Sequence, residues 1–231
     1  MRIAHHATTI FLVFLAAAPA SRAQTPPTEQ EIALYDRLHA AAAVGDVMGI
    51  AVAIMARHNP NARDGNGRTP LHVAAFRKQY AAARGLIGGG ADPNALDRQQ
   101  YDIVTIAAVA NDLTMLKIAL DGGASARNVT SPYQGTALIA AAHLGHADIV
   151  RALIAAGAPL NHVNNLGWTA LIEAIVLGDG GPNHTDTLRA LVEAGADVNL
   201  PDRAGTRPLA LARQREYKEM AEILERASAK P

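Results

Sequence analysis

The sequence predicts an all-α repeat solenoid, in which about six similar helical pairs stack side by side. Three observations support this prediction. A helix-start pattern recurs about every 33 residues, a glycine-containing helix-end pattern recurs in the same register, and the composition favours small apolar residues. Hydrophobic residues form 49% of the 231 residues but aromatic residues only 4%, which suits closely packed helices better than aromatic-rich strands.

The N-terminal residues are predicted to be an export signal outside the repeats. Residues 1–23 contain Arg2 and then the apolar run Ile10–Ala20, and small residues allow cleavage after Ala23 or, as a second possibility, after Ala20. The run is shorter than the roughly 20 apolar residues that cross a bilayer comfortably. An uncleaved membrane anchor is the alternative. We expect an exported protein with no membrane association after cleavage.

Charge and cysteine content limit the possible functions. Removing residues 1–23 takes away Arg2 and Arg22 but no acid, so 19 basic residues face 21 acidic ones and the formal net charge is −2. Nucleic acids and anionic membranes require a clear basic excess, so we expect neither as a partner. The chain has no cysteine, which excludes disulfides, thiol chemistry and cysteine-ligated zinc.

Each unit begins with a similar helix start. In the stretch GRTPLHVAA (67–75), Thr69 can cap a helix and Pro70 can occupy its first turn, while His72 is predicted to tie this helix start to neighbouring backbone. Leu71 has counterparts in the other units: Leu38, Val104, Leu138, Leu171 and Leu209.

Each unit also ends in a similar turn, where Gly145 and Gly157 supply the positive φ that ends a helix. The copies of this turn lie at 90–94, 123–126, 157–161 and 195–199. The predicted units are 31–63, 64–96, 97–130, 131–163, 164–201 and 202–227, after a linker at 24–30 and before a tail at 228–231.

Some units depart from the pattern. The first and last are degenerate and are predicted to cap the stack, with one polar outer face each. Asp102-Ile103 replaces Thr-Pro and the stretch 123–135 is irregular, so we expect looser stacking there. Five residues, Asp179–Asn183, are inserted before His184, the counterpart of His146. The insertion is either a specificity loop or tolerated drift.

These signatures, which keep register over roughly residues 29–227, resemble those of the ankyrin repeat family. The resemblance implies stacked helix-turn-helix units joined by β-hairpin-like turns. It also implies a concave face, formed by hairpin tips and by the ends of the first helices, that binds other proteins. Exported bacterial members have been linked to oxidative-stress defence beside a catalase and to toxin neutralisation.

The resemblance places a candidate partner-binding set on the concave face. This set is rich in aromatic residues and arginine, which are enriched at binding hot spots, and it contains no acid. The partner should therefore present an acidic or mixed patch. For Trp168, local packing on its neighbour is the alternative. The set comprises Arg68, Phe76, Arg77, Arg98, Tyr101, Tyr133, His143, Trp168, Leu177, Arg203 and Arg215.

No pattern in the sequence indicates catalysis. His143 and His146 lie three apart but lack a third ligand nearby, there is no Gly-x-Ser-x-Gly elbow, and Gly88–Gly90 follows a predicted helix instead of a strand. Glu173 and Glu193 are interpreted as solvated helix residues. We predict no catalytic residues, no cofactor and no metal.

The sequence therefore predicts a non-enzymatic, monomeric module that binds one protein in the periplasm of a Gram-negative bacterium. A secreted effector that binds a host protein is the alternative, and a metal- or small-molecule-dependent activity is a third class.

Overall fold

The computed structural model describes residues 24–228, so the predicted signal at 1–23 lies outside the described residues, as do residues 229–231. Residues 24–228 form thirteen α-helices and no strand, with one isolated antiparallel bridge between Thr130 and Gly135. The helices are α1 (Glu29–Ala33), α2 (Arg37–Val44), α3 (Val47–Met55), α4 (Pro70–Phe76), α5 (Tyr80–Gly88), α6 (Ile103–Val109), α7 (Leu113–Asp121), α8 (Ala137–His143), α9 (Ala147–Ala155), α10 (Ala170–Val176), α11 (Pro182–Glu193), α12 (Pro208–Gln214) and α13 (Lys218–Ser228).

Helices α2 to α13 form six antiparallel pairs, and each predicted unit contains one pair. The first helix of a pair packs against the first helices of the neighbouring pairs, and the second helices pack in the same way. This is the predicted all-α solenoid. Its core runs along the whole stack, and at least one fully buried alanine in each first helix lets neighbouring helices approach closely. These alanines include Ala42, Ala74, Ala107, Ala141, Ala174 and Ala212.

The first helices start as the sequence predicts. Thr69 is the N-cap of α4 and Pro70 is its first residue. Thr136 and Thr169 cap α8 and α10, and each accepts a hydrogen bond from the backbone N–H three residues later. These caps satisfy N–H groups that would otherwise lack partners at the helix start.

The helix start of the third unit is held by a buried polar network although its sequence is irregular, and the looser stacking expected there stays a prediction. Asp102 replaces threonine as the cap and accepts hydrogen bonds from the Thr105 backbone N–H and hydroxyl, both at 2.8 Å. The Thr105 hydroxyl also lies 2.9 Å from that of Thr130, and Asn128 donates to Asp102 at 3.0 Å. Asp102, Thr105 and Thr130 are buried. A satisfied polar network thus replaces the usual helix start.

The two ends of the stack differ. At the C-terminal end, α13 exposes charged residues such as Glu222 and Arg226, which is the polar outer face expected of an end unit. At the N-terminal end, α3 exposes Met48, Val52 and Met55, whose exposures are 74%, 62% and 82%. The expected polar outer face is therefore absent from the first unit.

The segment 24–30, expected to be a linker, lies against the stack and ends in helix α1. Pro27 is buried, and Thr28 forms a capping box with Glu31. Helix α1 contacts α2.

The insertion at 179–183 extends a helix as well as a loop. Its last two residues begin α11, which has 12 residues against 9 in α5, α7 and α9. His184 hydrogen-bonds the His143 carbonyl through Nε2 at 3.0 Å, and His146 hydrogen-bonds the Ala108 carbonyl through Nδ1 at 2.9 Å. Both histidines therefore join their unit to the preceding one.

Candidate protein-binding surface

Hydrogen bonds between neighbouring units align the hairpin tips into one continuous edge. The Arg98 N–H donates to the carbonyl of Asn66 at 3.0 Å, and the Asn165 N–H donates to the carbonyl of Tyr133 at 2.9 Å. The Arg203 guanidinium continues this edge by donating to the Asn165 carbonyl. Side chains at successive tips therefore lie next to each other.

The ends of the first helices form two rows beside this edge. The last helical residues make the first row, and the residues that follow them make the second. The first row is Phe76, Val109, His143, Val176 and Gln214, and the second is Arg77, Ala110, Leu144, Leu177 and Arg215. The second row is apolar in units 3 to 5 and basic at either end.

Units 4 and 5 expose apolar side chains on these elements. Leu144 and Leu177 in the second row are 39% and 43% exposed, and Leu166 at a hairpin tip is 39% exposed. We call these three side chains the apolar cluster of units 4 and 5. Leu144 and Leu177 hold the same position in neighbouring units, and adjoining exposed apolar side chains mark interaction sites more often than isolated ones do.

A buried acid lies beside His143 and the hairpin residue Asn164. Glu173 is 4% exposed, accepts a hydrogen bond from Asn164 Nδ2 at 2.9 Å, and lies 3.4 Å from His143 Nδ1. Its interpretation as a solvated residue was therefore wrong. The sequence contained a signal, because the equivalent positions in other units hold Val73 and Ile106, both buried. Glu173 fixes the hairpin residue Asn164 relative to α10.

Two arginines of unit 2, Arg68 and Arg77, contact the N-terminal segment. Arg68 Nη2 lies 2.5 Å from Glu31, Arg68 Nε lies 2.8 Å from Asp64, and Arg77 Nη1 lies 2.7 Å from Glu29. Burial opposes ionisation of Asp64, but hydrogen bonds from Tyr35 and Arg68 outweigh it and hold the pKa of Asp64 below its usual range. Asp64 therefore remains charged and paired.

The described residues contain neither a metal site nor a membrane span. In the stretch 24–228, no three or more His, Cys, Asp or Glu side chains are placed to hold a metal ion. Across the same stretch, every helix is too short or too polar to cross a bilayer.

Comparisons with known proteins identify the repeats. A family model described as "Ankyrin repeats (3 copies)" matches residues 104–202, and one described as "Ankyrin repeat" matches residues 66–98. The protein YahD of Escherichia coli (strain K12), named for its ankyrin repeats, is 36% identical over 190 residues, which cover 82% of this chain and 94% of YahD. The chain belongs to the ankyrin repeat family.

Solved ankyrin structures have the same fold. An ankyrin repeat domain from Acinetobacter baumannii AYE is 45% identical, has a TM-score of 0.79, and is matched over 84% of this chain and 98% of that one. The ankyrin repeat domain of Bcl-3, a member of the IκB family, is 25% identical with a TM-score of 0.75, over 85% and 87% of the two chains. Ankyrin repeat domains are protein–protein interaction modules and typically act as non-enzymatic scaffolds.

Two residues of the predicted binding set are buried in this ankyrin stack. Arg68 is 2% exposed because it is enclosed by Asp64, Glu31 and the N-terminal segment. Tyr101 is 6% exposed and belongs to the hydrophobic core. Both positions are corrected from surface to interior. Arg68 and Tyr101 hold the same repeat position as Gly135 and Trp168, which are buried and half-buried, whereas tip residues at another position, such as Arg98, are exposed.

The other predicted residues lie on the ankyrin tips and first-helix ends, and their role in binding stays a prediction. Phe76 and Trp168 are half-buried and pack against the core, so only part of each ring is accessible to a partner. Tyr133 is also half-buried. The exposed members of the set are Arg77, Arg98, His143, Leu177, Arg203 and Arg215.

Proposed function

We propose that this ankyrin repeat protein is an exported, non-enzymatic module that binds one partner protein through its concave face. The observation that carries the proposal is the exposed apolar cluster of units 4 and 5, formed by Leu144, Leu166 and Leu177. Burying these side chains against a partner would contribute roughly 25 cal/mol for each Å² of apolar surface removed from water.

The residues around this cluster indicate the chemistry of the partner. Arg203 at the tip edge and Arg215 in the second row are exposed, and exposed His143 lies 3.4 Å from buried Glu173. An apolar centre with arginines at its margin is typical of protein interfaces, whose rims are polar. A partner with an apolar anchor and acidic surroundings would complement it.

The N-terminal sequence supports the proposed export and location. The apolar run Ile10–Ala20 and the small residues before Gln24 support a cleaved signal and a periplasmic protein. A secreted effector that binds a host protein uses the same surface and differs only in location. Cell fractionation with N-terminal sequencing separates these proposals. A mature periplasmic chain that begins at Gln24 supports ours, mature protein in the medium supports the effector, and an uncleaved membrane-bound chain contradicts both.

The binding proposal is tested by crosslinking in cells, affinity capture of the tagged protein and mass spectrometry. The test variant is Leu166→Asp/Leu177→Asp. The control variant is Met48→Asp/Met55→Asp, which adds the same charge at exposed apolar positions at the N-terminal end of the stack. We expect one dominant partner that the control retains and the test variant loses, while both unfold at similar temperatures. A partner captured equally by both variants would show that units 4 and 5 are not the binding surface.

A further inference from the structure

The N-terminal segment already occupies the concave-face elements of units 2 and 3. The Thr25 N–H donates to Gln99 Oε1 at 3.3 Å, and the Thr25 carbonyl accepts from Arg68 Nη1 at 3.3 Å. The segment therefore crosses two neighbouring hairpin tips before helix α1 begins.

Helix α1 then presents two acids to this face. Glu31 Oε1 accepts from Arg68 and from Asn66 Nδ2, both at 2.5 Å, and Glu29 accepts from Arg77 at 2.7 Å. Asn66 is a hairpin-tip residue and Arg77 belongs to the second row, so α1 spans both kinds of binding position. The arginines of this face thus already bind an acidic helical segment of the chain itself, at the positions where they would bind such a segment of a partner.

The attachment of the segment rests on few contacts, since Pro27 is buried and Glu31 pairs with buried Arg68 but helix α1 itself contributes little. Helix α1 has five residues and none of them is buried, and a helix this short is marginal without tertiary contacts. The Glu29–Arg77 pair is exposed, with side-chain exposures of 79% and 38%, and exposed ion pairs contribute little. Units 4 and 5 have no such cover among the described residues.

We infer that residues 24–33 are an internal ligand of the concave face, and that the partner presents an acidic helical segment that displaces them from units 2 and 3. This inference rests on the proposed function, because it assumes that the concave face binds a protein. The inference adds the chemistry of the partner, which is an acidic helical segment. It also adds an intramolecular competition that lowers the apparent affinity of the partner, because only molecules with a released segment can bind it.

A peptide competition tests the inference. The probe is a fluorescent peptide with the sequence of residues 24–35, QTPPTEQEIALY. It is titrated into the purified mature protein, into Glu29→Gln/Glu31→Gln, and into the control Glu193→Gln/Glu222→Gln, whose two acids are exposed on other helices. Glutamine at position 31 still suits a capping box, so the helix start is preserved.

We expect the peptide to bind Glu29→Gln/Glu31→Gln about tenfold more tightly than the wild type, while the control resembles the wild type. Adding Arg77→Glu to the test variant should weaken binding severalfold, because it replaces the attraction to Glu29 of the peptide with a repulsion. In the wild type, saturating peptide should speed hydrogen exchange of amides 29–33, because these residues are released.

Two results would overturn the inference. Equal affinity for the wild type and Glu29→Gln/Glu31→Gln means that the segment does not compete, and no binding to any form means that the face does not accept an acidic helix. Neither result affects the proposed function, which is tested separately by the loss of the captured partner in Leu166→Asp/Leu177→Asp.

Discussion

Buried polar side chains join each unit to the next at the level of single residues. His72 Nδ1 accepts the Thr69 N–H at 3.1 Å, so its proton lies on Nε2, which donates to the Tyr101 carbonyl at 3.0 Å. His39 makes the equivalent contact to the Arg68 carbonyl at 3.0 Å. The interpretation of His72 as a structural tie between units is therefore confirmed.

We predict that His72 makes stability depend on pH. Burial lowers the pKa of His72 from its usual value of 6.5. As the pH falls through 6.5, the unfolded chain binds a proton at this histidine but the folded protein does not. The free energy of unfolding therefore decreases as the pH falls. His72→Gln should flatten this dependence between about pH 7.5 and about pH 5.5, and should cost about 1–3 kcal/mol at the higher pH.

Urea unfolding at both pH values measures this effect. The control is His162→Gln, because His162 bonds the Gln134 carbonyl in exposed surroundings. An unchanged slope in His72→Gln would contradict the prediction.

We also predict that two arginines of unit 2 contribute very differently to stability. Arg68→Met leaves Asp64 buried without its cation and should cost about 3 kcal/mol or more. Arg77→Met removes only an exposed pair with Glu29 and should cost less than about 1 kcal/mol. Chemical denaturation of both variants measures the difference, and similar losses would show that the burial of Arg68 has been misjudged.

Helices α3 and α13 show that position in the stack does not by itself set the character of a helix. Helix α13 has a charged outer face, whereas α3, at the opposite end, is apolar nearly all round and buries only Ile50 completely. The inserted loop shows a second effect, since Tyr217 of the last unit donates from its hydroxyl to the Gly178 carbonyl at 2.8 Å. This contact attaches the residue directly before the insertion to the last unit.

We expect α3 to tolerate polar substitutions only on its outer, exposed side. Met55→Lys should change the free energy of unfolding by less than about 0.5 kcal/mol, because the side chain is 82% exposed. Ile50→Lys should cost about 4 kcal/mol or prevent folding, because it buries a charge without a partner. Thermal and urea unfolding compare the two variants, and a large loss in Met55→Lys would indicate that this face is covered.

In the inserted loop, Gly180 should be hard to replace. It has a φ of +71°, and a Cβ atom there would overlap the ring of Tyr217. Gly180→Ala should therefore cost about 2–3 kcal/mol, because it combines left-handed backbone strain with displacement of the Tyr217 ring.

Gly195 is the control, because it also has a positive φ, of +92°, but no atom lies within 4 Å of the added Cβ. Gly195→Ala should cost about 1 kcal/mol, so equal losses on urea unfolding would mean that Tyr217 does not constrain the loop.

The whole molecule is stabilised by one continuous core that passes through all six units. Its buried residues extend from Leu38 in the first unit to Leu224 in the last. In a repeat stack each unit contacts only its neighbours, so stability is shared between units and the interfaces that join them. The chain has no cysteine, so disulfides contribute nothing.

We therefore predict that the purified protein folds without metal or reductant. EDTA and dithiothreitol should each leave the midpoint of thermal unfolding within about 1 °C of the untreated value. A chelator lowers that midpoint only where it removes a bound metal ion that stabilises the folded protein. Circular dichroism at rising temperature measures it. A clear fall with EDTA would reveal a bound metal ion and would favour the metal-dependent alternative.

The sequence by itself determined the repeat register, the helix starts at Thr69 and its equivalents, and the turns that end each unit. These features depend on local chemistry, because capping residues and glycines act within a few residues of their own position. The tertiary structure alone decided which tip residues are buried, as at Arg68 and Tyr101, and placed Glu29 and Glu31 on the arginines of unit 2. Burial and charge pairing arise from contacts between residues far apart in the chain, and a repeat pattern is the same whether or not another segment covers its surface.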